Sequence, residues 1–300
     1  MTQARPAVGL LWNPTASGII AWVPELVEYL AVMPDRLWDD FGPQSGPARF
    51  HTIEPTIDDV RACADGRLVA GHGIGLSLPS AGPLDEALLE RVADIAAGLG
   101  FAWFSEHLSI NALPKGGLLD LQTGLGLPVA CDEDSYIIVR DKLRLLKVAL
   151  DCPLLLENPA IFTPIPEMEM SEPEFLNRLR AEEGTNVLLD FHNLFVTEKN
   201  GGVAARDYLD ALDPRAVMEI HVAGGNELGG FYLDSHSGLT PPEVWEIAHA
   251  YAPHFPNLRA ITLEYHESYF AQVGLRAFAR ELERMHVLAQ SCARVSADAC

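Results

Sequence analysis

A chain of 300 residues with 48% hydrophobic residues can bury one large α/β core, and disorder is not the expectation. Its formal net charge of −21 argues against a nucleic-acid backbone or an anionic membrane as partner, because both select for Lys and Arg. Five cysteines (Cys63, Cys131, Cys152, Cys292, Cys300) without CxxC or zinc-finger spacing, no leader-like start and no bilayer-length apolar run predict a reduced, cytoplasmic protein.

In chain order, short apolar runs predict strands at Val8–Trp12, Phe50–Glu54, Leu68–His72, Ala102–His107, Leu154–Glu157, Val187–Asp190, Ala216–His221 and Ala260–Glu264. Helical spacing falls between most of them. Trp22–Met33 precedes the second strand, Leu84–Ala97 follows the third and Asp134–Leu150 the fourth. Ser171–Glu183 opens with a Ser N-cap and Glu174 at N3. Arg206–Leu212, Pro241–Ala252 and Leu275–Leu288 complete the set. Alternating strands and helices without a composition break predict a single (β/α)8 TIM barrel over 1–289, with a flexible tail at 290–300. Gly116–Pro128 and Gly224–Gly230 are expected as loops over the barrel mouth.

Most strands end in an ionisable residue. LVAGHG ends near His72, WFSEHL holds Glu106 and His107, and LLLEN holds Glu157. VLLDFHN carries Asp190 and His192, MEIHVAG carries Glu219 and His221, and ITLEYHE carries Glu264 and His266. Parallel strands closing into a barrel bring these C-terminal ends to one mouth. The pairs Asp190/His192, Glu219/His221, Asp234/His236 and Glu264/His266 are two residues apart, so an extended segment aims both members to one face. Mixed imidazole and carboxylate donors suit Fe, Mn or Zn better than Ca or Mg. One His or Asp at a strand end is ordinarily a surface or capping residue, and an Asx-turn competes at DSHSG. Recurrence at strand after strand points instead to a metal site at the C-terminal mouth, with more ligands than one ion needs. His51, His249, His254 and His286 lack such company and are read as structural or surface residues.

The motifs HGIGLSL, SEHLS, LLLENPAIF, EPEFLNRL, VLLDFHNLFV, EIHVAGG, LDSHSG and LEYHES occur in the order of the DUF692 family, the multinuclear non-heme iron-dependent oxidative enzymes that include the methanobactin biosynthesis enzyme. The chain resembles that family from about Trp12 to about Glu267. The resemblance implies two or three irons, Fe(II) and Fe(III) mixed, with O2 as co-substrate. His72, His107 and Glu157 would bind one iron, and Glu157, Asp190, His221 and Glu264 its neighbour. Asn193, Asp234 and His236, with His192 as a possible extra ligand, would hold a third. Glu157, Asp190, His221 and Glu264 are the residues expected at the reacting centre, with Asn158 and Glu106 supporting the ligands from behind. The implied activity is oxidation of cysteine or another residue in a ribosomally made precursor peptide, with a small partner protein presenting it. Three positions depart from the family pattern: Glu106 for the common Asp, His192 for the common Asn, and Gly225 for the common His. The competing reading is a Zn- or Mn-dependent sugar isomerase or hydrolase of the xylose-isomerase-like or endonuclease-IV-like barrel type. Cys292 and Cys300 also raise the idea of an enzyme acting on its own tail.

Overall fold

The computed structural model describes residues 5–115, 118–163, 165 and 168–298. Eight parallel strands close into a barrel: β1 Ala7–Leu11, β2 Tyr29–Val32, β3 Leu68–Gly73, β4 Phe104–His107, β5 Leu154–Glu157, β6 Asn186–Asp190, β7 Val217–Val222 and β8 Ala260–Leu263. β1 pairs with both β2 and β8, and every neighbouring pair is parallel, giving the expected (β/α)8 TIM barrel. Helices Ala16–Trp22, Glu54–Ala64, Glu86–Leu99, Glu133–Ala149, Glu172–Glu183, Phe191–Lys199, Ala205–Ala211, Pro242–Tyr251 and Leu275–Asp298 follow the strands. The predicted start of Glu172–Glu183 is confirmed, because Ser171 and Glu174 form a reciprocal capping box.

The second strand differs from the sequence reading. Tyr29–Val32, expected inside a helix over Trp22–Met33, is a barrel strand, and all of its residues are buried. Phe50–Thr52, expected in the barrel, instead pairs antiparallel with Trp38–Asp40 outside it. A strand buried on both faces shows no alternation, so its short apolar run carries no period to identify it. Prolines at Pro24 and Pro34 open short 3-10 turns on either side, which isolates the strand. The segment expected as a loop over Gly116–Pro128 forms, in its described part, a strand Leu118–Leu127 paired antiparallel with Ile110–Lys115. Gly116 and Gly117 lie outside the described residues. Gly224–Gly230 leads into a second small hairpin, Asn226–Leu228 with Phe231–Leu233. Where a flexible tail was expected from 290, the last helix runs on to Asp298, and Leu282, Met285, Leu288, Ala289 and Cys292 carry its buried stripe past 290. Cys300 lies outside the described residues.

Strand alternation sorts the core into two layers. Leu30, Phe104, Leu156, Leu189, Ile220 and Ile261 face the helices. Leu11, Tyr29, Ala31, Ala70, Trp103, Leu155, Leu188, Met218 and Ala260 fill the barrel interior, where the Tyr29 and Trp103 rings stack at 5.4 Å. Gly9 makes room for this plug, since a Cβ there would lie 2.0 Å from the Tyr29 carbonyl oxygen. In β7 the register shifts: Val187 pairs with Val217 but Leu188 pairs with Glu219, leaving Met218 as the extra residue of a bulge. Met218 and Glu219 are therefore both turned into the barrel, and the phase of His221 is reset with them.

Candidate metal centre

The polar ends of the strands sit directly above this apolar plug. β3 delivers His72, β4 His107, β5 Glu157, β6 Asp190 and β7 His221, and Glu264 follows the last residue of β8. Three overlapping sets of donor atoms, each mutually within 4.8 Å, occur among the described residues: His72 with His107 and Glu157; His72 with His221 and Glu264; and Glu157 with Asp190, His221 and Glu264. Glu157 joins the first set to the third, as a bridging carboxylate would. His107 Nε2 lies 3.0 Å and His72 Nε2 3.5 Å from Glu157 Oε2, while His221 Nδ1 lies 3.2 Å from Glu264 Oε1.

Three of the ligands, His72, His107 and Asp190, are held from behind, leaving a donor atom facing forward. Ser105 Oγ donates to the Gly71 carbonyl at 3.1 Å, so it accepts from His72 Nδ1 at 2.9 Å and Nε2 is left free. His107 Nδ1 donates to the Gly73 carbonyl at 2.9 Å with the same result. Asp190 Oδ1 caps the helix Phe191–Lys199 by accepting from the N–H groups of His192 and Asn193. Its backbone is clamped to β5 by Asn158, whose Oδ1 accepts from Asp190 N at 2.8 Å and whose Nδ2 donates to Asp190 O at 3.0 Å.

The remaining predicted ligands form an adjoining edge. Asp234 and His236 follow the hairpin Asn226–Leu228/Phe231–Leu233, and His236 holds a left-handed φ of +49°. His236 Nε2 lies 3.0 Å from Asp234 Oδ1 and 3.4 Å from Glu264 Oε2, which links this edge to the main sets. His192 Nδ1 bonds Asp234 Oδ1 at 2.9 Å. A Cβ on Gly225 would lie 2.1 Å from the Leu233 carbonyl oxygen and 2.8 Å from the Tyr232 ring, with His192 Cε1 next at 3.1 Å, so the close approach of the hairpin backbone requires glycine there. Asn193 Nδ2 donates to the Asn158 carbonyl.

Two expectations fail here. Glu106 lies between the inward-facing Ser105 and His107, so alternation puts it on the outer face of β4. There burial and the charge of Asp35 push its carboxyl well above the usual range. His266 does not join Glu264 in the cluster; it is exposed and accepts from Ser268 N. Glu219, noted in the sequence only as half of an i, i+2 pair, sits beneath the cluster and accepts from Tyr29 Oη, Trp103 Nε1, Thr262 Oγ1 and His221 Nε2.

The electrostatics fit a bound cation. Burial pushes Glu157 well above the carboxylate range, and the same cause raises Asp190 to about 6. Burial and the like charges of His107 and His221 push His72 well below the usual imidazole range. Burial is the largest influence on His221 and Glu264 and opposes charge on both, but Glu264 and Glu219 together outweigh it at His221, and His221, His236 and His72 together outweigh it at Glu264, raising the imidazole and lowering the carboxyl. Glu157 Oε2, Asp190 Oδ2, His192 Nε2, Asn193 Oδ1 and His221 Nδ1 are buried without a hydrogen-bond partner. Orphaned polar atoms of this kind cost ~1–3 kcal/mol each, and Glu157, Asp190 and His221 belong together to one donor set. Divalent or trivalent cations would satisfy them, so the donor set suits the metal chemistry expected from the sequence.

Comparison with known proteins follows the same line. A family model described as "RiPP precursor modification enzyme MbnB/TglH/ChrH" matches residues 15–289. A UPF0276 protein of Streptomyces avermitilis is 32% identical over 232 residues, covering 76% of this chain and 46% of that one, so the chain spans about half of that relative. A UPF0276 protein of Chromobacterium violaceum is 32% identical over 232 residues, covering 77% and 81%. Among solved structures, a putative xylose isomerase from Rhodospirillum rubrum has a TM-score of 0.58 at 14% identity, covering 94% of this chain and 99% of that one. Endonuclease IV from Thermus thermophilus has a TM-score of 0.53 at 19% identity, covering 93% and 99%. At such identities these structures share the barrel and nothing more specific.

Proposed function

The chain belongs to the MbnB/TglH/ChrH family of RiPP precursor modification enzymes, and on that premise we propose that it is a multinuclear iron oxidase that uses O2 to modify cysteine or another residue of a ribosomally made peptide. The observation that supports this most is the convergence of orphaned donors on the barrel mouth. One ion would be held by His72, His107 and Glu157, and a second by Glu157, Asp190, His221 and Glu264. Asn193, Asp234 and His236, with His192, offer donors for a third. When bound, iron supplies the electrons and open coordination positions that O2 activation requires.

The chain's own residues do the rest. Ser105, the Gly73 carbonyl and Asn158 orient the ligands. The Tyr29–Trp103 plug closes the barrel from below and keeps water from entering there. His107, Asp234 and His236 are the more open members, with side chains 21–27% exposed, so substrate is expected to arrive over them. Leu228 and Phe231, exposed on the hairpin leading into Asp234, offer apolar contact to the peptide or to a small presenting protein. No helix of the described residues is long and apolar enough to cross a membrane.

The sugar isomerase or hydrolase reading shares the barrel and a donor set that suits Zn or Mn, but it lacks the family match. Iron content and O2 uptake of the purified chain separate the two. Iron present in the parent and lost with uptake in His72→Ala and Glu157→Ala supports the oxidase. Zinc alone, with no O2 uptake after iron reconstitution, counts against it.

A further inference from the structure

Glu219 lies in the barrel interior, 1% exposed, and belongs to none of the donor sets. Its oxygens are taken by donors from three other strand segments. Tyr29 Oη donates to Oε1 at 2.8 Å, Thr262 Oγ1 to Oε1 at 2.6 Å, and Trp103 Nε1 to Oε2 at 2.6 Å. Indole N–H can only donate, so this environment is built for an acceptor. The fourth neighbour is His221, whose Nε2 lies 3.2 Å from Glu219 Oε1. The other ring nitrogen, Nδ1, faces Glu264 Oε1 at 3.2 Å and Glu157 Oε1 at 3.7 Å and has no hydrogen-bond partner.

We propose that Glu219 is a positioning residue that fixes the tautomer of His221, holding the proton on Nε2 so that Nδ1 alone is presented to the metal. His221 is thereby turned the opposite way from His72 and His107, whose Nδ1 atoms are held and whose Nε2 atoms face forward. The bulge at Met218 is what brings Glu219 and His221 to the interior together. The inference rests on the metal-centre reading but not on the identity of the ion.

Trp103 makes the idea testable by an isosteric change. In Glu219→Gln the amide oxygen must face the Trp103 N–H, because that donor cannot reverse. The amide NH2 then occupies the Oε1 position. The NH2 has two hydrogens: one goes to the Tyr29 or Thr262 hydroxyl, which turns to accept it, and the other points at His221 Nε2, which must then accept, moving the ring proton to Nδ1 and aiming it at the metal. Phe at 103 removes the constraint and lets the Gln turn round.

Chelator-stripped wild type, Glu219→Gln, Tyr29→Phe and Glu219→Gln/Trp103→Phe are titrated with Co2+, following the visible bands and the folded state by circular dichroism. Glu219→Gln, still folded, is expected to bind roughly 10- to 100-fold more weakly at one site. Tyr29→Phe, which removes a donor without changing the tautomer, should stay within about 3-fold of wild type, since a shift of that size is under 1 kcal/mol. The double variant should recover part of the loss. Wild-type affinity in folded Glu219→Gln, an equal loss in Tyr29→Phe, or no recovery in the double variant would overturn the assignment. A wild-type chain that binds no Co2+ would overturn the metal-centre reading itself.

Discussion

Truncating Asn158 to Ala removes the clamp between β5 and β6 at the point where Asp190 enters the site. Asn158 is fully buried, and its side chain satisfies both backbone groups of Asp190. The substitution breaks two hydrogen bonds: it leaves the buried Asp190 N–H unpaired, at ~1–3 kcal/mol, and takes about 1 kcal/mol from the Asp190 carbonyl, which still accepts within the helix it caps. A water entering the vacated space would repay part of this, so the expected net loss is about 3 kcal/mol. At roughly 2–4 °C per kcal/mol for a domain of this size, the melting temperature should fall by roughly 6–12 °C. The measurement is denaturant unfolding and a thermal melt on chelator-stripped protein, so that metal binding does not mask the change. Metal affinity should fall in parallel, because Asp190 Oδ2 loses its fixed aim. A stability change below about 1 kcal/mol with unchanged metal affinity would show that Asn158 does not hold Asp190 in place.

Three further outcomes are expected. Burial raises Glu172 to about 7 against the bond from Tyr208, so between the unfolded value and about 7 the folded chain holds a proton that the unfolded chain has lost. Stability therefore falls as pH rises through that window, and Glu172→Gln should gain on the order of 1 kcal/mol over wild type at pH 8 but not at pH 4; a gain independent of pH in urea unfolding would refute this. Gly18, exposed in the helix Ala16–Trp22 with nothing near its missing Cβ, should accept Ala with a gain of about 0.5–1 kcal/mol, whereas Gly9→Ala should fail to yield folded barrel by circular dichroism; the reverse order would contradict the packing described for Tyr29. Metal-loaded protein should melt well above stripped protein, by about 4 kcal/mol of stability at a thousandfold excess over Kd, and superimposable melts would mean that the cluster does not bind the ion added.

The barrel and its mouth were legible because both rest on local patterns. Runs such as LLLEN and VLLD place an ionisable residue at the end of a buried strand, and parallel closure does the rest. Tyr29–Val32 was not legible, because four consecutive buried residues carry no period. The helix Phe191–Lys199 was hidden for the same reason, since Phe191 through Thr197 are all buried and no polar stripe marks a surface. Glu106, expected to support the ligands from behind, is set by strand alternation on the opposite face of β4 from His107. Glu219 could be seen only as one member of a pair. Its place under the cluster depends on the bulge at Met218 and on Tyr29, Trp103 and Thr262 arriving from distant strands, which no local pattern announces.

Mössbauer spectroscopy with metal analysis on protein grown with iron-57 tests the proposed function most directly. The account predicts two or more irons per chain, part of them a coupled ferrous–ferric pair, all lost in Glu157→Ala. Zinc or manganese in place of iron, persisting after anaerobic reconstitution with ferrous iron, would contradict it.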